Sequence, residues 1–270
     1  MRMNRPRVLI VRAPGTNCDE EAARAWDLAG AYPETRHVNE LLARPDALDE
    51  FDAFTLPGGF SHGDDLGAGR ILATRLATVL GDSLRRLVER GGLVLGICNG
   101  FQVLVKAGLL PGGTTKTDVS LAGFAPIEAT LTHNDAGRFE SRWTRLAATP
   151  GHCPFLRGLE TLELPVAHGE GKFVARPAGA LAALESRGQV VLRYIDHAGR
   201  PTEVYPDNPN GSAGGVAGVC DSTGRIFGLM PHPERFVNVI QHPRWTRRDR
   251  PLDEPGDGFR IFQNAVEALV

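Results

Sequence analysis

The sequence predicts an α/β protein: a mostly parallel sheet with helices on both faces and an antiparallel extension. Three observations predict it. Over the first hundred residues, short apolar runs alternate with stretches of helical period, the order that a parallel sheet with crossover helices requires. Pro-Gly-Gly at 57–59 and Gly-Gly at 91–92 cut these stretches cleanly. Beyond residue 110 the helical period gives way to strand-like runs separated by turn residues, the signature of hairpins.

Taken in order, Arg7–Arg12 (RVLIVR) reads as a buried strand. Residues 19–29 follow as a helix, with Thr16, Asn17 and Asp19 as candidate caps. Residues 52–56 (DAFTL) form a second strand, and residues 70–90 a long helix. In that helix Leu76, Val79, Leu80, Ser83, Leu84, Leu87 and Val88 give a mostly apolar pattern at helical spacing. Leu93–Ile97 (LVLGI) is the next strand and residues 100–107 the next helix. Further strands are expected at 126–132, 161–167, 190–195, 216–219 and 226–230, and a closing helix at 257–269. No internal repeat or low-complexity linker interrupts the chain, so residues 1–270 are expected to form one domain.

Composition excludes several classes of function. The chain of 270 residues is long enough to bury a full core without disulfides or metals. Its formal net charge of −2 argues against wholesale binding to nucleic acid or to an anionic membrane. The longest apolar runs, such as 92–98, are too short to span a bilayer, and residues 1–11 lack the apolar stretch of a signal peptide. Cys18, Cys98, Cys153 and Cys220 are widely spaced, with no C-x-x-C, so neither a disulfide framework nor a zinc knuckle is expected. A reducing, cytoplasmic setting follows as the expectation. His37, His62, His133, His152, His197 and His242 show no metal-ligand spacing, and no metal site is expected. Neither a G-x-x-x-x-G-K-[ST] loop nor a G-x-G-x-x-G occurs, so ATP and dinucleotides have no recognised home in this chain. The basic run 244–250 reads as a solvated loop rather than a surface for RNA.

The sharpest chemical signal is Gly96-Ile97-Cys98-Asn99-Gly100, placed between an expected strand and an expected helix. It has the form of a nucleophile elbow with cysteine at the apex. A strand that turns abruptly into a helix crowds the positions two before and two after the apex, and only glycine fits there. The helix would aim its N-terminus at the apex sulfur, which favours negative charge on it. The N–H of Asn99 could also receive an oxyanion. Four cysteines and 32 glycines give roughly 0.06 chance occurrences of G-x-C-x-G, so chance is a poor account of it. A buried cysteine in a tight turn is the bland alternative.

A thiol nucleophile needs a base, and the base needs an orienting group. His232, in Pro231-His232-Pro233-Glu234, directly follows an expected strand. In an extended backbone Glu234 would project on the same side as His232 and fix its imidazole. The competing reading is a surface turn with Pro233 starting a helical turn and Glu234 in it. The successive glycines of Pro57-Gly58-Gly59-Phe60-Ser61 let backbone N–H groups approach a substrate, which makes this segment a second candidate oxyanion donor; a plain turn is the alternative. Gln102 lies one helical turn beyond Cys98 and either faces the pocket or is an ordinary exposed residue. His168, in His168-Gly169-Glu170-Gly171, either lines a pocket or sits in a tight turn.

Together these motifs resemble those of class I glutamine amidotransferases. Within that group the chain is similar to the glutaminase components of phosphoribosylformylglycinamidine synthases. The resemblance spans almost the whole chain, through APGTNCD at 13–19, LPGGFSHGD at 56–64, GICNGFQ at 96–102, AHGEGK at 167–172, NPNGS at 208–212 and MPHPER at 230–235. RFESRW at 138–143 and the tail from 242 to 270 are similar to the glutaminase end of the large fused form, while the free-standing chain matches the small-subunit form. His62 stands where the family pattern usually has tyrosine.

The resemblance implies a flavodoxin-like three-layer sandwich with Cys98 as nucleophile, His232 as base and Glu234 as its orienter. It places Gly59, Phe60 and Asn99 around the oxyanion and Gln102 and His168 near the glutamine. It further implies hydrolysis of L-glutamine through a Cys98 thioester. The ammonia would pass to a large synthetase subunit that holds ATP and Mg and acts on formylglycinamide ribonucleotide, with a small accessory subunit in the same complex. No cofactor is implied for this chain. The alternatives are the glutaminase subunit of another amidotransferase, a free-standing cysteine amidase or peptidase of the same fold, and a non-catalytic regulatory module.

Overall fold

The computed structural model describes residues 5–114 and 128–270. Strand β1 (Arg7–Arg12) leads into helix α1 (Asp19–Leu28), then β2 (Tyr32–His37), α2 (Val38–Ala43), β3 (Ala53–Leu56), α3 (Arg70–Glu89), β4 (Leu93–Ile97) and α4 (Asn99–Lys106). The second half contributes β5 (Ala129–Thr132), β6 (Glu140–Ala148), β7 (Thr161–His168), β8 (Lys172–Ala175), α5 (Ala180–Ser186), β9 (Val190–Tyr194), β10 (Val216–Cys220), β11 (Ile226–Leu229) and α6 (Phe259–Leu269).

Nine strands form one sheet in the order β2-β1-β3-β4-β11-β10-β9-β6-β7. The first five are parallel; β10, β9, β6 and β7 continue it antiparallel. This is the expected combination of a parallel half and an antiparallel extension. Every residue of β3, β4 and β11 is buried, as continuous apolar strands covered on both faces must be. On one side α1 and α6 lock through Trp26 and Phe262, edge to face at 5.4 Å. Helices α3 and α4 pack together as a second layer. Strands β5 and β8 pair separately as a two-stranded ribbon. Among the described residues, no helix is long and apolar enough to cross a membrane.

Most expected elements stand within two residues of their sequence bounds. The expected strand at 126–132 is observed from Ala129; positions 126 and 127 lie outside the described residues. The N-cap of α1 is Cys18, not one of the expected polar caps, and it makes no side-chain capping bond. Thr16 Oγ1 instead accepts from Ala13 N at 3.0 Å, and Asp19 pairs with Arg12.

The topology places the site. Strands β1, β3, β4 and β11 run in one direction, so the segments leaving their carboxyl ends emerge along one edge of the sheet. Those segments carry Cys18, Gly58-Gly59, Cys98 and His232. Chain order reverses between β1 and β3, where an open sheet opens a crevice at that edge.

Candidate active site

Cys98 sits between β4 and α4 at φ 51° and ψ −105°, a left-handed conformation that side chains other than glycine avoid. Its flanking glycines have no substitute. A Cβ on Gly96 would lie 2.5 Å from Leu104 Cδ1, and one on Gly100 would lie 1.9 Å from Leu56 O. Cys98 N donates to Leu229 O at 2.8 Å, which extends the β4–β11 pairing to the apex. Its carbonyl takes the first helical bond, from Gln102 N at 3.1 Å. The opening N–H groups of α4, Asn99 first, therefore have no partner within the helix and face the apex. Cys98 is 4% exposed, and its sulfur lies 3.6 Å from Ala167 O.

His232 and Glu234 are both buried, and Nδ1 lies 2.6 Å from Glu234 Oε1. The backbone that joins them is not extended: Pro233–Arg235 is a single 3₁₀ turn. Glu234 thus reaches its neighbour by turning back, so the turn reading and the pairing reading hold together. Burial works against a charged imidazole here. The Glu234 carboxylate and the negative charge of Cys98 outweigh it and hold His232 well above its ordinary value of 6.5. His232 Nε2, on the other side of the ring, is buried with no hydrogen-bond partner. Cys98 and His232 line one cavity of about 270 Å³, together with Asn17, Cys18, Gly59, Phe60 and Arg235.

A second cavity of about 210 Å³ also opens on Cys98 and is lined by Asp64, Gln102, His133, His168 and Glu170. Gln102 is not an exposed helix residue but 4% exposed. Its Oε1 accepts from Asn99 Nδ2 at 2.9 Å and its Nε2 donates to Glu170 O at 2.6 Å. Asn99 Nδ2 also donates to Asp64 Oδ1 at 3.1 Å, and Asn99 Oδ1 accepts from Ser61 N at 3.2 Å. One chain of hydrogen bonds thus ties the loop after β3, the elbow helix and the HGEG turn together. Burial pushes the Asp64 carboxyl up, with Gly69 N–H and Asn99 pulling the other way.

The tautomer of His168 follows from its neighbours. Asn134 Nδ2 donates to Arg138 O at 2.9 Å and to His168 O at 2.8 Å, so its Oδ1 is the acceptor. His168 Nδ1, 3.1 Å from that oxygen, must carry the proton. Nε2 is then a bare lone pair, buried and unpartnered. Burial and the positive charge of His232 lower His168 to about 4, so it is neutral at physiological pH. The sign of the linkage follows: between about 4 and 6.5 the unfolded chain binds a proton that the folded chain refuses. Stability from this site is complete above pH 6.5 and falls as the pH drops towards 4, by about 3 kcal/mol in all. Urea unfolding at a series of pH values should show this loss in the wild type, and His168→Gln should flatten it. An unchanged slope in the variant contradicts the assignment.

Of the residues expected around the oxyanion, Phe60 is not a backbone donor. Phe60 N–H is engaged by Gly15 O at 2.8 Å and is not available to a substrate. Among the described residues, Gly59 N–H has no acceptor, so Gly59 and Asn99 are the two available donors. Phe60 contributes its ring, which is 47% exposed and lies 6.4 Å from the ring of Phe139 across the mouth of both cavities. Sequence reasoning missed Phe139, Asp64, Asn134, Cys18 and Arg235. All but Asn134 lie within recognised motifs, yet nothing in their spacing marks them as site residues. His62, at φ 54°, belongs to the same strained loop as Asp64, and its Nε2 is buried without a partner.

The basic run folds back on acidic residues. Arg248 lies 3.0 Å from Glu163, and Arg250 lies 2.7 Å from Asp257 and 2.8 Å from Glu254. Arg248 and Arg250 of the run thus have acidic partners, while Arg244 and Arg247 stay exposed.

Residues 5–268 match the CobB/CobQ-like glutamine amidotransferase domain. The chain belongs to this family. This amidotransferase is 49% identical to the phosphoribosylformylglycinamidine synthase subunit PurQ of Dehalococcoides mccartyi over 266 residues, 98% of each chain. It is 41% identical to human phosphoribosylformylglycinamidine synthase over 96% of its own length and 20% of the human protein. The structure of PurLQS from Thermotoga maritima contains a chain that the amidotransferase matches at a TM-score of 0.72 and 31% identity, covering 98% and 100% of the two chains.

Proposed function

We propose that this chain is the glutaminase subunit of a phosphoribosylformylglycinamidine synthase. The observation that carries the reading is Cys98 at φ 51° on the N-terminus of α4, sharing a cavity with the buried His232–Glu234 pair. The names of its relatives select the acceptor, which the site itself does not.

Cys98 sulfur attacks the side-chain carboxamide carbon of glutamine, and the oxyanion is received by the N–H groups of Gly59 and Asn99. His232 gives its proton to the departing nitrogen, and ammonia leaves a glutamyl thioester on Cys98. A water then attacks the thioester, His232 takes its proton, and glutamate and the free thiol are restored. Glu234 holds the imidazole in orientation and stabilises its charged form. Gln102 and His168 border the second cavity, on the side that suits the glutamyl chain. His168 offers a neutral acceptor there, which favours an N–H donor over a carboxylate oxygen.

Ammonia passes to a synthetase subunit that binds ATP, Mg and formylglycinamide ribonucleotide. A small accessory subunit belongs to the same assembly, and the complex works in the cytoplasm. Residues 1–270 act as one glutaminase domain. Free release of ammonia would waste glutamine, so the isolated chain should hydrolyse it poorly. Adding the synthetase with ATP and its nucleotide substrate should raise the rate tenfold or more, a change that about 1.4 kcal/mol off the barrier suffices to give. A rate that is unchanged by the partner argues for a free-standing amidase.

The cysteines offer a direct check. A chloroketone analogue of glutamine should label Cys98 ahead of Cys18, Cys153 and Cys220. Burial and the neighbouring Cys220 push the Cys153 thiol up and keep it inert. Peptide mass spectrometry that finds the label mainly on another cysteine removes Cys98 as the nucleophile.

A further inference from the structure

We propose that Cys18, His232 and Glu234 form an inhibitory site for a thiophilic divalent cation such as Zn²⁺. The inhibitory half rests on the reading of His232 and Glu234 as the catalytic pair; the binding half does not. The three residues come from two segments, the loop after β1 and the turn after β11, and all are buried. One donor atom of each lies within 4.8 Å of the other two. Cys18 Sγ is 4.0 Å from His232 Nδ1, and Nδ1 is 2.6 Å from Glu234 Oε1.

Tetrahedral Zn²⁺, with bonds of about 2.3 Å to sulfur and about 2.0–2.2 Å to nitrogen and oxygen, sets donors roughly 3.4–3.6 Å apart. Reaching that spacing requires Cys18 Sγ to close on Nδ1 from 4.0 Å and Glu234 Oε1 to open from 2.6 Å. Glu234 Oε2 is buried without any partner, a carboxylate oxygen with free lone pairs in the same cluster. Cys18 and His232 also line the cavity of about 270 Å³ that opens on Cys98, which gives an ion and its last water a way in. Arg235 Nη2 donates to Cys18 Sγ at 3.0 Å, and its charge opposes a cation. Its side chain is 35% exposed and has Glu21 4.0 Å away as a second partner, so it can turn outward without stranding a buried charge.

Binding displaces the thiol proton of Cys18 and the Nδ1 proton of His232, and both go to solvent. The ion then lies between one thiolate, one carboxylate and a neutral imidazole whose remaining proton is on Nε2. That imidazole cannot take a proton on Nε2 and has lost its hydrogen bond to Glu234. Affinity therefore rises with pH.

The test uses the full chain with Co²⁺ as an optical probe. Wild type and Cys98→Ala should both develop the thiolate-to-cobalt charge-transfer band, which added Zn²⁺ removes. Cys18→Ser and Cys18→Ala, checked for folding by circular dichroism, should lose the band or bind at least tenfold more weakly. In the complex with its synthetase, Zn²⁺ should inhibit glutamine hydrolysis reversibly, and Cys18→Ser should need at least tenfold more Zn²⁺ for the same fractional inhibition. A band that survives in both Cys18 variants and vanishes in Cys98→Ala overturns the proposal, as does the absence of a band in every protein. Cobalt bound as expected, in a protein whose complex with the synthetase shows no glutaminase activity, would sink the catalytic reading and leave the site standing.

Discussion

Cys98→Ser should abolish glutamine-dependent synthesis of formylglycinamidine ribonucleotide by the assembled complex, while synthesis from added ammonium salt continues. Removal of the nucleophile from a site whose residues act as a unit costs at least about 10⁴-fold in turnover, because the remaining members cannot form the thioester. The serine side chain is smaller than cysteine and keeps the strained backbone that Gly96 and Gly100 permit, so the elbow and its contacts with Leu56 and Leu104 persist. The synthetase has no use for the thiol and accepts ammonia from solution. One mixture assayed with each nitrogen source separates the two activities. Equal loss of both, in a complex that gel filtration shows to be intact, overturns the division of labour.

The second large effect belongs to the base. His232→Ala should lower glutaminase turnover by about 10³-fold, within the range of general acid–base contributions. Glu234→Ala should cost less, about 10²-fold, because the carboxylate orients and charges the imidazole without itself moving the proton. The geometry supports this ranking: His232 shares the cavity with Cys98, whereas Glu234 lies behind it on Nδ1. Both variants are to be assayed with the synthetase present and checked for folding. A folded His232→Ala protein with near-native turnover removes His232 from the reaction. A Glu234→Ala protein less active than His232→Ala reverses the roles.

The parallel half of the fold was legible because its strands are continuous apolar runs stopped by glycine. Strand β4 was read to the residue, and β3 and β11 within one residue at either end. Strand β2, Tyr-Pro-Glu-Thr-Arg-His, was missed. It is an edge strand, none of its residues is buried, and it carries a proline and four charged or titratable side chains. Strand β6 was missed for a different reason. Its nine residues include Arg142 and Arg145, and only its pairing with β7 and β9 imposes the extended form.

The site divides in the same way. Cys98 and its glycines announce themselves because the turn tolerates nothing else. His232–Glu234 was paired correctly from spacing, but through an extended backbone that the structure replaces with a turn. Phe60 stands beside Cys98 as expected, but it enters by its ring, because its N–H is taken by Gly15 O from a loop forty-five residues away in the chain. Asn134, which fixes the tautomer of His168, lies in no recognised motif, and its role exists only through the two carbonyls that orient it.

The central claim is that glutamine is opened through a covalent bond to Cys98. The complex should be mixed with glutamine, ATP and formylglycinamide ribonucleotide, quenched in acid within one turnover, digested and read by mass spectrometry. The account predicts a glutamyl group on the peptide that carries Cys98, absent when Cys98→Ser replaces the wild type. A glutamyl group found instead on a peptide carrying Cys18, Cys153 or Cys220, and retained in Cys98→Ser, would contradict it.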